Sequence, residues 1–114
     1  MNGDTTLANY SGTWLAGNGT NALSGRYTSS SNWISMVDAD ANLNTISKFD
    51  IMNYSNATTY KTVLARSNRA AVWSAAQVGL WRNTAAITSI LVKESSGYNF
   101  VSGTTFQLFG IAAA

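Results

Sequence analysis

The chain of 114 residues contains no cysteine, no proline and no histidine. Without cysteine there are no disulfides, no thiolate metal sites and no redox signature of the compartment. Without histidine, a nucleophilic serine would need a lysine as its base, and the sequence holds neither a GxSxG nor an SxxK pattern. Without proline, turns must rest on Gly, Asn, Asp and Ser. Charge is scarce as well: Asp, Glu, Lys and Arg make up 11% of the residues, against about 25% in an average globular domain. Solubility therefore falls to neutral polar groups: 12 Asn, 14 Ser and 13 Thr. A surface with so few ions can pack against copies of itself without desolvating charge. An extracellular or crowded-surface protein would tolerate the same composition.

The net charge is +2, and the seven Lys and Arg are scattered singly from Arg26 to Lys93. Nucleic-acid binding needs a clustered basic footprint, which this pattern lacks. Arg66 and Arg69, the closest pair, read as a solvated strand-end loop. The opening "MNGDTTLANY" has neither the basic nor the apolar region of a secretory leader. No apolar run approaches the length of a membrane span, so no membrane insertion is expected. The length suits one domain with one modest core.

Strand signals are frequent and helix signals poor. Asn32–Val37, Thr45–Met52, Tyr60–Arg66, Ala70–Ala75, Gln77–Trp81, Ala86–Lys93 and Thr104–Ile111 all fit short strands separated by Asn-, Ser- and Gly-rich turns. The Ala-rich window "RAAVWSAAQVGLW" is read as two strands rather than a helix, because Trp and Val favour a pleated surface. In "KFDIMN", Phe49 and Ile51 share one face while Lys48, Asp50 and Met52 share the other. In "AITSILVK", Ile87 and Leu91 fall on one face and Ile90 and Val92 on the other, so that segment calls for cover on both sides. A neighbouring subunit or a long loop of the same chain would supply it. Residues 1–31, rich in Gly, Ser, Thr and Asn, read as a loop-rich excursion pinned by Trp14, Leu15, Leu23 and Tyr27, with the sheet core at 32–111. The expected fold is all-β, a small β-sandwich of jelly-roll type.

Catalytic material is thin. The carboxylates are Asp4, Asp38, Asp40, Asp50 and Glu94, and nothing in their spacing selects the facing pair that a glycosidase needs. Asp38, Asp40 and Asn42 match the first side-chain positions of a calcium loop, but Leu43 stands where Gly is needed and Phe49 where Glu is needed. They remain weak metal candidates, with a solvated Asx-rich turn the plainer reading. Sequons at Asn9, Asn18, Asn53 and Asn56 occur at the frequency expected by chance in so Asn-, Ser- and Thr-rich a chain. Of the four tryptophans, Trp73 and Trp81 sit among apolar neighbours and read as core. Trp14 and Trp33 are candidates for stacking on a sugar or for packing. No enzyme activity and no cofactor is expected.

Four stretches carry a resemblance. "NGDT" followed by "NYS" covers Asn2–Thr5 and Asn9–Ser11. "DIMNYSN…YKT" supplies Asp50, Tyr54, Asn56, Lys61 and Thr62. "WRNTAAITSI" supplies Trp81, Thr84, Ala86, Ile87, Ser89 and Ile90, and the chain continues to "GTTFQLFGI", Gly103–Ile111. In this combination the sequence resembles a domain of tailed-phage virion proteins that recurs in tail-fibre, appendage and head-decoration proteins. The resemblance implies a jelly-roll fold and a virion structural role, with assembly in the host cytoplasm. Other virion proteins and copies of the chain itself, as a homotrimer, are the expected partners. A tip domain that binds a host-surface glycan is the alternative. The resembling domains carry an "F..IPQTY..L.L" run ahead of "NGDT", whereas here Met1 leads directly into it. Three outcomes are open: strands supplied by another chain, a fragment of a longer protein, or an adapted fold. Ile87, Ile90, Val92, Phe106, Phe109 and Ile111 are the candidate interface residues, with Ile87–Val92 or Phe106–Ile111 expected to pair with or pack on a partner chain.

Overall fold

The structure, a computed structural model, describes residues 1–34, 44–93 and 99–111. The protein is all-β. Five antiparallel strands form one sheet: β1 (Tyr10–Gly17), β2 (Ala22–Thr28), β3 (Thr45–Ile51), β4 (Lys61–Arg69) and β5 (Trp73–Trp81), in the order β2-β1-β5-β4-β3. A 3-10 turn, Leu7–Asn9, leads into β1. All the described strands belong to this sheet, so the second sheet of a sandwich is not among them.

The strands form where side chains alternate. Along β4, Lys61, Val63, Ala65 and Ser67 are buried while Leu64 and Arg66 are exposed. Along β5, Ala75, Gln77, Gly79 and Trp81 are buried and Ser74, Ala76 and Val78 exposed. This period of two places one face of the sheet against a core of Tyr10, Ile34, Val63 and Trp81, with Met1, Phe49, Ile51 and Ile87 packed around it. Phe49 and Ile51 take the inner face as their alternation predicts, and Lys48 and Asp50 form an exposed ion pair at 3.0 Å on the other. Trp81 is fully buried, as expected, while Trp73 is half-buried with the Arg69 guanidinium 5.9 Å from its ring centroid.

The structure departs from the sequence reading in four places. Residues 1–31 contain two strands rather than a loop excursion. β1 and β2 form a hairpin closed by Asn18, whose Oδ1 accepts the Thr20 and Asn21 amides at 3.0 and 2.7 Å. Their inner-face positions are partly glycine: the Trp14 ring lies over Gly25, and the Tyr27 ring over Gly12. Each strand's aromatic thus covers the other's missing side chain, a hydrophobic surface that a period-two pattern cannot register. Second, Ala70–Ala75 and Gln77–Trp81 are not two strands. β4 runs on to Arg69, a tight turn follows with the Val72 amide on the Arg69 carbonyl, and β5 is continuous. Arg66 and Arg69 therefore lie inside β4, not in a loop. Third, residues 86–93 and 104–111 are not strands of the sheet. Fourth, no strand begins in 32–34; the rest of that expected strand lies outside the described residues.

Candidate functional site

Many residues of the stretches quoted above converge on one end of the sheet, at the rung Tyr10–Trp81–Lys61. Asn2-Gly3 forms the corner of a turn in which both central residues have positive φ (48° and 67°) and the Asp4 amide bonds the Met1 carbonyl at 2.9 Å. Asn-Gly is the dipeptide that such a turn prefers. The turn aims the Asn2 side chain at residues 86–89. Its Nδ2 donates to the Ala86 carbonyl at 2.8 Å, and its Oδ1 accepts the Thr88 and Ser89 amides at 2.8 and 3.1 Å. The Asn2 amide donates to the Ser89 carbonyl at 2.9 Å. One asparagine thus gives "AITS" the kind of backbone hydrogen bonds that a neighbouring strand would give it, and the segment lies outside the sheet.

Asp4 secures the other side of the same turn. Its Oδ2 accepts the buried Trp81 indole N–H and Asn9 Nδ2, each at 2.7 Å, and its Oδ1 accepts the Thr6 amide at 2.9 Å. Its carbonyl accepts the Tyr10 hydroxyl at 2.7 Å. Burial works against the charged carboxylate, but the bonds from Asn9, Trp81 and Thr6 outweigh it and hold the Asp4 pKa down at about 2. Burial, helped by the nearby Asp4 charge, raises the Tyr10 pKa.

Lys61 is fully buried. Its ammonium donates to the carbonyls of Thr59 at 2.6 Å and Thr84 at 3.1 Å, fastening the turn before β4 to the segment after β5. That turn is organised by Asn56, whose Oδ1 accepts the Thr58 and Thr59 amides at 2.7 and 2.9 Å. The Tyr54 carbonyl accepts the Ile87 amide at 2.7 Å. Asn2, Asp4, Tyr54, Asn56, Lys61 and Trp81 therefore form one latch across three parts of the chain. Their chemistry is spent on backbone groups and on one another. Replacing Asn2 with alanine is expected to leave the sheet folded but to free residues 86–89. Hydrogen exchange at the Thr88 and Ser89 amides should accelerate by roughly tenfold or more, the loss of about one to two net hydrogen bonds; unchanged protection at both would show that the latch does not hold.

The other candidate residues divide. Ile87 is half-buried and packs against the chain's own core. Ile90 and Val92 are exposed, and Phe106, Phe109 and Ile111 more so, at 60, 80 and 83% of their full exposure. Trp14 is half-buried over Gly25, and half-buried Trp33 stacks on Tyr27 with ring centroids 4.3 Å apart. The Tyr27 hydroxyl donates to the Ile34 carbonyl at 2.6 Å, and burial pushes its pKa up to about 12. Each tryptophan thus has a ring face occupied by its own sheet. Asp38, Asp40 and Asn42 lie outside the described residues. Among the described residues no three His, Cys, Asp or Glu side chains gather in one place. None of the described helices is long and apolar enough to cross a membrane.

Sequence spacing alone could not join Asn2 to residues 86–89 or Asp4 to Trp81, since the partners are 77 or more positions apart. The one available signal was Asn-Gly itself, which marks a turn and leaves its side chain free to bond elsewhere. No protein-family model, no curated protein and no solved structure matches this chain.

Proposed function

We propose that the chain is a non-catalytic structural and interaction module of a tailed-phage particle, a tail-fibre or head-decoration component assembled in the host cytoplasm. The observation that carries the reading is the latch. Residues from three of the four stretches quoted for the resemblance build one structural device, so that part of the likeness concerns how the fold is held. A virion part is asked to do the same: hold shape and present surface. The neutral, apolar 104–111 segment supports contact with other virion proteins or with copies of the chain, for which a homotrimer is the proposed assembly.

Two measurements test this. Protein mass spectrometry and immunogold labelling of purified particles should find the chain in stoichiometric amount at one position of the particle; its absence from particles would sink the assignment. Replacing Asp38, Asp40 and Asp50 singly with Asn should leave particle assembly and infectivity within about twofold, because the reading gives no carboxylate a chemical role. A loss of a hundredfold or more at any one would favour an enzyme.

A further inference from the structure

We propose that residues 104–111 are an arm that adds as a sixth strand to the open edge of β3 in a second copy of this chain. The inference deepens the self-association part of the reading above. The segment belongs to no strand, helix, turn or bend. Among the described residues it is held by the Thr104 amide on the Val101 carbonyl at 3.1 Å, by the Tyr54 hydroxyl on the Ile111 carbonyl at 3.3 Å and by an edge contact between Phe100 and Phe106 at 5.0 Å. Phe106, Leu108, Phe109 and Ile111 are 60, 85, 80 and 83% exposed, and no residue from 99 to 111 is charged.

Area indicates what covers the arm. At these exposures the four side chains present on the order of 500 Å² of apolar surface. Two arms exchanged reciprocally bury on the order of 1,000 Å² from the arms alone, which reaches the size of a specific interface. In an extended chain Phe106 and Leu108 project to one side and Phe109 and Ile111 to the other. Such a strand needs apolar neighbours on both faces, and an edge position supplies them. Beside β3 they are Phe49 and Ile51 on the inner face and Ile46 on the outer.

Among the described residues two sheet edges, those of β2 and β3, have no strand beside them, and two observations select β3. Its cation, Lys48, is neutralised by Asp50, so a neutral strand meets no net charge there, whereas β2 carries Arg26. The arm also passes the turn that follows β3, where Tyr54 touches it. An arm leaving one copy at that corner reaches the same corner of another by a simple rotation, and strand addition then satisfies its backbone.

The chain has no cysteine, so engineered cysteines report the contact cleanly. Full-length Gln107→Cys chain is mixed with differently tagged chains carrying Ile46→Cys, Lys48→Cys or Asp50→Cys in β3, or Ser24→Cys or Arg26→Cys in β2, and oxidised. The expected result is a mixed disulfide with one or more β3 positions and none with β2, since neighbouring strands bring Cα atoms within disulfide range. Sedimentation equilibrium of the unmodified chain should give two or three copies. The double substitution Leu108→Lys and Phe109→Lys should weaken association by roughly 100-fold, with circular dichroism unchanged because both side chains are exposed. A chain that stays monomeric into the millimolar range overturns the proposal, as does cross-linking to β2 or to neither edge. So does a double variant that associates normally. Association is read on the purified chain and the virion assignment on purified particles, so either can fail while the other stands.

Discussion

Gly79→Ala is expected to be among the most damaging single substitutions in the protein, at a cost on the order of 3–5 kcal/mol. Gly79 lies on the inner face of β5, between Gly12 of β1 and Val63 of β4. A Cβ there would run into the Ile34 carbonyl oxygen and would sit 2.7 Å from Ile34 Cγ2. The obstacle is backbone, so no rotamer change relieves it. Ile34 must move outward, which takes its carbonyl from the Tyr27 hydroxyl and a buried side chain from the core. Set against a total stability of about 5–15 kcal/mol for a domain of this class, the substitution should leave the protein marginal at room temperature. Urea unfolding checks it. Ile34→Ala removes the side-chain contact but not the carbonyl, so Gly79→Ala should stay destabilising in that background. A loss under about 1 kcal/mol for Gly79→Ala would mean that residue 34 does not rest on the sheet.

The second large effect is expected at Asp4. Asp4→Ala removes the acceptor of three N–H groups at once, one of them the indole N–H of the fully buried Trp81. A buried donor left without a partner costs about 1–3 kcal/mol, and bonds to a charged acceptor stand at the upper end, so the total should be about 3 kcal/mol. Asp4→Asn should cost less, because one amide oxygen can still accept while the NH2 faces a donor. The pH dependence is distinctive. The folded pKa of about 2 lies below the ordinary 3.8, so between those values the unfolded chain binds more protons than the folded one. The carboxylate's contribution is therefore fully present above about pH 4 and is lost as pH falls toward 2. Unfolding midpoints measured from pH 5 to pH 2 should fall steeply in the wild type. They should fall less in Asp4→Ala, the two curves converging at the acid end; parallel curves would show that Asp4 is not the group responsible.

Much of the sheet was legible where burial is carried by side chains. β3, β4 and the second half of β5 announce themselves through Phe49, Ile51, Val63 and Trp81, whereas the Ala-rich start of β5 reads as a separate strand, and the Asn-rich turn after β3 was readable from Asn53 and Asn56. β1 and β2 were not, because Gly12 and Gly25 are covered by aromatics from the neighbouring strand, and a glycine shows nothing to a hydrophobic pattern. The opposite error arose at 86–93 and 104–111. Both have strand-like composition, but a strand exists only where another backbone lies beside it. In the first case Asn2 takes that place; in the second nothing in the described chain does. The latch was visible as quoted motifs and invisible as a device, since its hydrogen bonds join residues that sequence keeps far apart.

The strand order also sets a course for folding. β3, β4 and β5 follow one another as a meander, and β1 and β2 as a hairpin. Both units can form from local encounters within microseconds. Among the described strands they pair along β1 and β5, where Tyr10 faces Trp81, and closing so long a loop delays the reward of the contact until most of its entropy has been lost. Docking of hairpin on meander is thus the slow event, and the Asp4–Trp81 bond forms with it. In a chain free of proline no prolyl isomerisation overlays that step. The refolding rate therefore reports the joining of two preformed halves, and substitutions along the β1–β5 seam should slow refolding, whereas those at the outer edges of β2 and β3 should mainly hasten unfolding.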